Sequence, residues 1–174
     1  MMGRALLIIG ALATLGFLAS GVLGYLLKAP ADSGLPRHVL VGLAACLAQL
    51  FSHCWILVYL ILTGRAIRET VAENDLDARY GDEARRFLRS TAPWLLAAIA
   101  LGVATFLVGG ASTTGAIRPW IHHVAFYVLL AVQGLALWQE ARVLRANQRL
   151  IDEIDGRLVP AGLPPSGQAR EAAG

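Results

Sequence analysis

Residues 39–62 read VLVGLAACLAQLFSHCWILVYLIL, twenty-four positions with no Lys, Arg, Asp or Glu but with a glutamine, a serine and a histidine near the middle. A helix needs roughly 20 predominantly apolar residues to cross a hydrocarbon core of about 30 Å, so this stretch predicts a transmembrane helix. Three more windows read the same way, at residues 5–27, 92–108 and 121–137, each bounded by charge, proline or glycine. Of 174 residues 56% are hydrophobic and the mean hydropathy is +0.58, a composition that an ordinary soluble domain does not need. The expectation is an all-α integral membrane four-helix bundle spanning residues 1–158.

The third window is the shortest, and the polar, glycine-rich residues 108–115 after it are expected to form a flexible loop at the headgroups. Trp94 and Trp120 fall near span ends, where an amphipathic ring prefers the interface. Basic residues are retained in the cytoplasm, and they divide unequally between the two sides of the proposed spans. One side holds twelve: Arg4, six arginines between spans two and three, and five after span four. The other holds Lys28, Arg37 and Arg118. This places both termini and the middle loop in the cytoplasm of a multi-pass protein of the inner (plasma) membrane. A competing reading takes residues 1–31 as a cleaved signal peptide, since Ala29, Pro30 and Ala31 look like a cleavage site. An uncharged run from Ala5 to Leu27 is longer than an h-region of roughly 7–15 residues, which favours a retained span.

The net charge of +3 follows from the cytoplasmic arginines, and no basic stripe with interleaved aromatics points to nucleic acid. Cys46 and Cys54 lie eight residues apart on one helix, about 12 Å by helical rise, so they cannot bond to each other and are read as small buried hydrophobes. Helical extensions are expected over residues 64–91 and 138–157, with a turn over residues 74–82. Ile67 and Val71 on the first, and Val143, Leu144, Leu150, Ile151 and Ile154 on the second, are spaced to pack on each other or on a partner. Residues 159–174, rich in proline and glycine, read as a disordered tail.

A shift of 84 residues lays span two over span four, His38 on His122 and Gln49 on Gln133, as a duplicated helical hairpin would. At 100° per residue, span two is two-sided. Ala45, Gln49, Ser52 and Thr63 share a stripe with His38, with Gly42 and His53 at its edge, while Leu40, Leu43, Leu47, Leu50, Phe51, Val58 and Ile61 lie opposite. Span four carries His122, Phe126, Gln133 and Glu140 on one face. In an antiparallel bundle the outer ends of spans two and four face each other across the core, where cofactor sites are built. His38 and either His122 or His123 then bind one group between them. Imidazoles without a carboxylate or thiolate at that depth suit haem iron. A copper or zinc site fits less well, with His38, His122 and His123 as three ligands and Asp32 as a fourth.

His53 follows His38 by fifteen positions, about 22 Å deeper by helical rise. Two histidine levels on one helix resemble the membrane b-type cytochromes, whose haem-bearing helices carry histidines thirteen or fourteen residues apart, often with a glycine where the ring packs. The resemblance covers His38 to His53 only, and implies haem b held by His38, His53, His122 and His123 with Gly42 against the ring. Span four departs from it, offering Leu137 at the level of His53. An inner haem then needs a ligand from another subunit or a homo-oligomer mate.

Gln49 and Gln133 are expected to join helices by hydrogen bonds, and Trp55, Tyr59 and Trp138 to be packing or quinone-adjacent residues. The sequence carries no Ser-His-Asp set, no paired carboxylates within a span, no phosphate-cradling loop and no HExxH, so a stand-alone enzyme is not expected. Two classes of function remain. One is a haem-binding electron-transfer subunit of a larger respiratory-type complex, exchanging electrons with a quinone or a redox partner. The other is a non-catalytic anchor or scaffold subunit.

Overall fold

The computed structural model describes residues 2–27 and 34–158, without the side chains of Met2 and Arg4. The proposed cleavage segment, Lys28, Asp32 and the proline-rich tail lie outside the described residues. Four helices make up the chain: α1 (Met2–Tyr25), α2 (Leu35–Glu73), α3 (Arg79–Thr113) and α4 (Pro119–Leu158). Each is long and apolar enough to cross a membrane. They pack as an antiparallel bundle in ring order, α4 closing on α1, which leaves α2 and α4 as parallel diagonal partners across the interior.

Local chemistry places the ends. α4 opens on Pro119, whose missing N–H costs nothing in the first turn, and α2 has a proline in its first turn as well. α2 and α3 close alike. After Glu73, Asp75 adopts φ 50° and the Leu76 N–H reaches Val71 O at 3.0 Å; after Thr113, Gly115 adopts φ 76° and the Ala116 N–H reaches Ala111 O at 2.9 Å. Both satisfy carbonyls that a helix end leaves bare.

The two loops are shorter than the sequence suggests. The turn expected over residues 74–82 contracts to residues 74–78, because Tyr80 and Ala84 are buried and belong to the packed face of α3. The glycine-rich segment expected as a loop is helical through Thr113. Gly109 has a packing reason to be there: a Cβ would stand 2.9 Å from His122 Cε1.

Beyond the N-terminal end of α1, the other three helices continue as a stalk. Ile67, Tyr80, Ala84, Leu150, Ile154 and Leu158 form its core, flanked by Val71 and Ile151, so the extensions pack on each other. Arg79 and the Tyr80 hydroxyl both bond Glu153 Oε1 at 2.8 Å, latching α3 to α4. In the span half of α2, the leucines opposite His38 are exposed at Leu40, Leu43 and Leu47, as are Phe51, Val58 and Ile61; this is the face for lipid. Leu50 instead packs partly into the interior beside Phe17, Ala45, Cys46 and Leu129. Cys46 is buried there, whereas Cys54 is exposed, a correction to its expected burial. At 100° per residue Cys54 falls on the side of Leu47, Phe51 and Val58.

Candidate functional site

The interior between α2 and α4 holds two histidine-bearing polar layers of different character. The first lies at the end of the bundle away from the stalk. A cavity of about 460 Å³ opens there, lined by His38, His122 and His123 together with Ser20, Gly42, Thr105 and Phe126, among others. The His38 and His122 rings approach edge to face, with centroids 6.3 Å apart.

Each of these two rings lies on a glycine of the neighbouring helix. A Cβ on Gly24 of α1 would stand 3.0 Å from His38 Cε1, and one on Gly109 of α3 would stand 2.9 Å from His122 Cε1. His38 Nδ1 donates to the Ser20 carbonyl at 2.8 Å, and the Ser20 hydroxyl donates back to the His38 carbonyl at 3.1 Å. A carbonyl only accepts, so Nδ1 carries the proton and the neutral ring keeps its lone pair on Nε2. Metal-binding histidines are set up in this manner, with the outer nitrogen held by a carbonyl. The His122 ring lies against Gly109 of α3 with its Nδ1 buried and, among the described residues, without a hydrogen-bond partner. His123 sits at the rim with its ring 5.1 Å from that of Tyr25, whose hydroxyl bonds that of Tyr127. Gly42 lines the cavity, and a Cβ there would meet the Ser20 hydroxyl at 3.0 Å. Among the described residues no three metal-ligating side chains converge on one point.

The second layer lies deeper and is closed. His53 and Glu140 are both fully buried, with His53 Nδ1 2.5 Å from Glu140 Oε1. His53 Nε2 is 2.9 Å from Gln133 Oε1, which also accepts from Gln49 Nε2 at 2.8 Å. Gln49 Nε2 donates to the Ala98 carbonyl of α3, and Gln133 Nε2 donates to Thr14 Oγ1 of α1. All four helices are tied at this level. Gly102 keeps α3 close, since a Cβ there would collide with Gln49 Oε1.

His53, expected at the level of Leu137, has both ring nitrogens engaged by side chains of α4. Leu137 packs toward Gly10 of α1 instead, 2.7 Å from where a Cβ would stand. Gln133 and Glu140, about one turn to either side, share the inward face and reach His53. Sequence reasoning placed Glu140 on that face but ended the span at Leu137, which removed it from consideration. The signal was present: Gln133, Glu140 and Asn147 recur every seven residues, and all three are buried.

The matched residues of the 84-residue shift meet physically. His38 faces His122, Gln49 bonds Gln133, and Thr63 Oγ1 accepts from Asn147 Nδ2 at 3.4 Å. Parallel diagonal helices in register produce this result, since each residue of one then stands opposite its counterpart in the other. Tyr59 also belongs to the Asn147 layer, its hydroxyl 3.4 Å from Nδ2. Trp55 and Trp138 point outward, Trp55 stacked on Phe51. Comparison with protein-family models, with curated proteins and with solved structures finds no match to this chain.

Proposed function

We propose that this multi-pass membrane protein binds haem b in the open cavity, held by His38 and His122, and serves as an electron-transfer subunit. The observation that carries this reading is the pairing of His38 and His122 across a cavity of about 460 Å³, each ring bedded on a glycine of the next helix. That volume lies within the range of about 300–1,000 Å³ usual for cofactor pockets. Ser20 orients the His38 ring and presents Nε2, Gly109 beds the His122 ring, and Phe126 supplies an apolar wall. Gly42 keeps the floor thin where a flat ring packs. When bound, such a group takes and gives one electron, at a potential set by its two imidazoles and their hydrogen bonds. A three-histidine copper or zinc site is the weaker reading, because among the described residues no three ligating side chains converge on one point.

The arginine distribution puts the stalk and both termini in the cytoplasm and the cavity at the outer face of a plasma membrane. The stalk then offers a docking arm for further redox subunits, and a quinone in the lipid is a natural electron partner. A reduced-minus-oxidised visible spectrum of the purified protein, with haem extraction and metal analysis on the same sample, tests this. An alpha band with one haem per chain is expected. A colourless protein free of haem, iron and copper after gentle purification overturns the cytochrome reading and leaves an anchor or scaffold built around the stalk.

A further inference from the structure

The deeper layer contains a titratable pair that the electron-transfer reading does not use. Its hydrogen bonds fix where protons sit. Thr14 Oγ1 donates to the Gly10 carbonyl at 3.0 Å, so toward Gln133 it acts as acceptor, and the Gln133 amide must turn its NH₂ to Thr14 and its Oε1 to His53. Oε1 only accepts, so His53 Nε2 carries a proton. The remaining contact, Nδ1 to Glu140 Oε1, then holds one further proton between a base and an acid.

Glu140 Oε2 decides on which of them it rests. That oxygen is buried and, among the described residues, has no hydrogen-bond partner. In a carboxylate it shares the negative charge, and a bare anionic oxygen away from water is far costlier than a bare carbonyl oxygen. In a carboxylic acid that donates from Oε1, Oε2 is only the carbonyl. Among the described side chains no other charge offsets an anion here: α1 presents Leu6, Gly10 and Thr14, α3 presents Leu95 and Ala98, α2 adds Gln49, Ser52 and Ile56, and α4 adds Gln133, Val143 and Leu144. Among the described side chains, the pair is the only ionisable content of the layer. Apolar residues close it on both sides, with Phe17, Ala45, Cys46 and Leu129 toward the cavity and Leu6, Ile56, Leu60 and Leu95 toward the stalk.

We propose that His53 and Glu140 form a proton-binding site inside the membrane, in which the proton is held as a Glu140 carboxylic acid donating to His53 Nδ1. The ligand is the proton itself. On release the bond broken is Glu140 O–H, the proton passes to water admitted when the bundle opens, and the site goes from neutral to a net charge of −1. Ionisable groups within spans commonly mark such proton-handling positions. Sealed layers above and below make exchange with bulk water slow unless the bundle opens, which is the behaviour of a gated proton site. This inference does not rest on the histidines of the cavity or on any cofactor.

Infrared difference spectroscopy on the full-length protein in lipid vesicles tests it without added ligand. The expected result is the C=O stretch of a protonated carboxyl that shifts on transfer to D₂O, fades reversibly as the medium is made alkaline, and is missing from Glu140→Gln. Glu153→Gln, which alters a stalk carboxylate, keeps the band. His53→Gln keeps the band but moves its frequency, because the acid then donates to an amide. A wild-type protein that shows no such band while folded overturns the proposal, and this needs no variant to fold. A band unchanged in Glu140→Gln overturns it equally.

Discussion

The two histidine layers of α2 differ by fifteen residues in sequence and in almost everything chemical. His38 has one ring nitrogen held by a backbone carbonyl and the other free over a cavity; His53 has both committed to side chains of α4. One imidazole is prepared to meet something that arrives, and the other is already met. The lesson concerns residue type: a histidine in a membrane span is not a ligand until its nitrogens have been accounted for. The layers also differ in what surrounds them. Glycines at positions 24, 42 and 109 hold space open around the first, whereas Gly102 and the small Ala98 bring α3 in to close the second.

The comparison breaks most sharply if both layers respond alike to loss of their imidazoles. Replacing His38 and His122 together by Ala is expected to abolish haem binding outright, read as complete loss of the Soret and alpha bands, while the bundle still melts near the wild-type temperature. Glu140→Ala is expected to act in the opposite way. It leaves the cavity intact but leaves His53 Nδ1 without its Glu140 partner, and a buried polar group left unsatisfied costs about 1–3 kcal/mol, measurable by unfolding in mixed micelles. Equal loss of stability from both changes would mean that the cavity histidines are structural as well.

Smaller effects sharpen the distinction. Gly24→Ala and Gly109→Ala put a methyl group about 3 Å from an imidazole carbon, so each ring must shift, and several-fold weaker haem retention with little change in melting is expected. Gln49→Leu removes one interhelical amide from the closed layer and is expected to cost roughly 0.6–2 kcal/mol, with the cavity spectrum unaffected. Cys54→Ser, on the lipid-facing side of α2, is expected to change stability by less than about 0.5 kcal/mol.

Four helices, their order and the inward stripe of α2 were legible in the sequence because hydropathy and a 100° period act locally. The histidine–histidine and glutamine–glutamine pairings were legible too, through the 84-residue shift, which fixes register without any knowledge of packing. Two features escaped for physical reasons. Hydropathy stops at the first carboxylate, so the span was ended before Glu140, although a glutamate that meets a histidine no longer counts as an exposed charge. Equal depth was also taken for contact. A side chain on a parallel diagonal helix reaches the positions that share its inward face, and for His53 those are Gln133 and Glu140, with Leu137 turned aside toward α1. Gly109, expected to be a loop residue, proved helical for a related reason: its missing side chain makes room for the His122 ring of α4, which one strand of sequence cannot reveal.

The length of α4 has a mechanical consequence. It runs unbroken from beside the cavity histidines to the tip of the stalk, 36 residues from His122 to Leu158, or about 54 Å at 1.5 Å per residue. Because it carries His122, Gln133, Glu140 and Asn147 as well as the stalk core, it works as a torsion rod. A twist of a few degrees applied at the Tyr80–Glu153 latch turns every one of those side chains against α2 at once, so a grip on the stalk is felt by both histidine layers without any hinge between them.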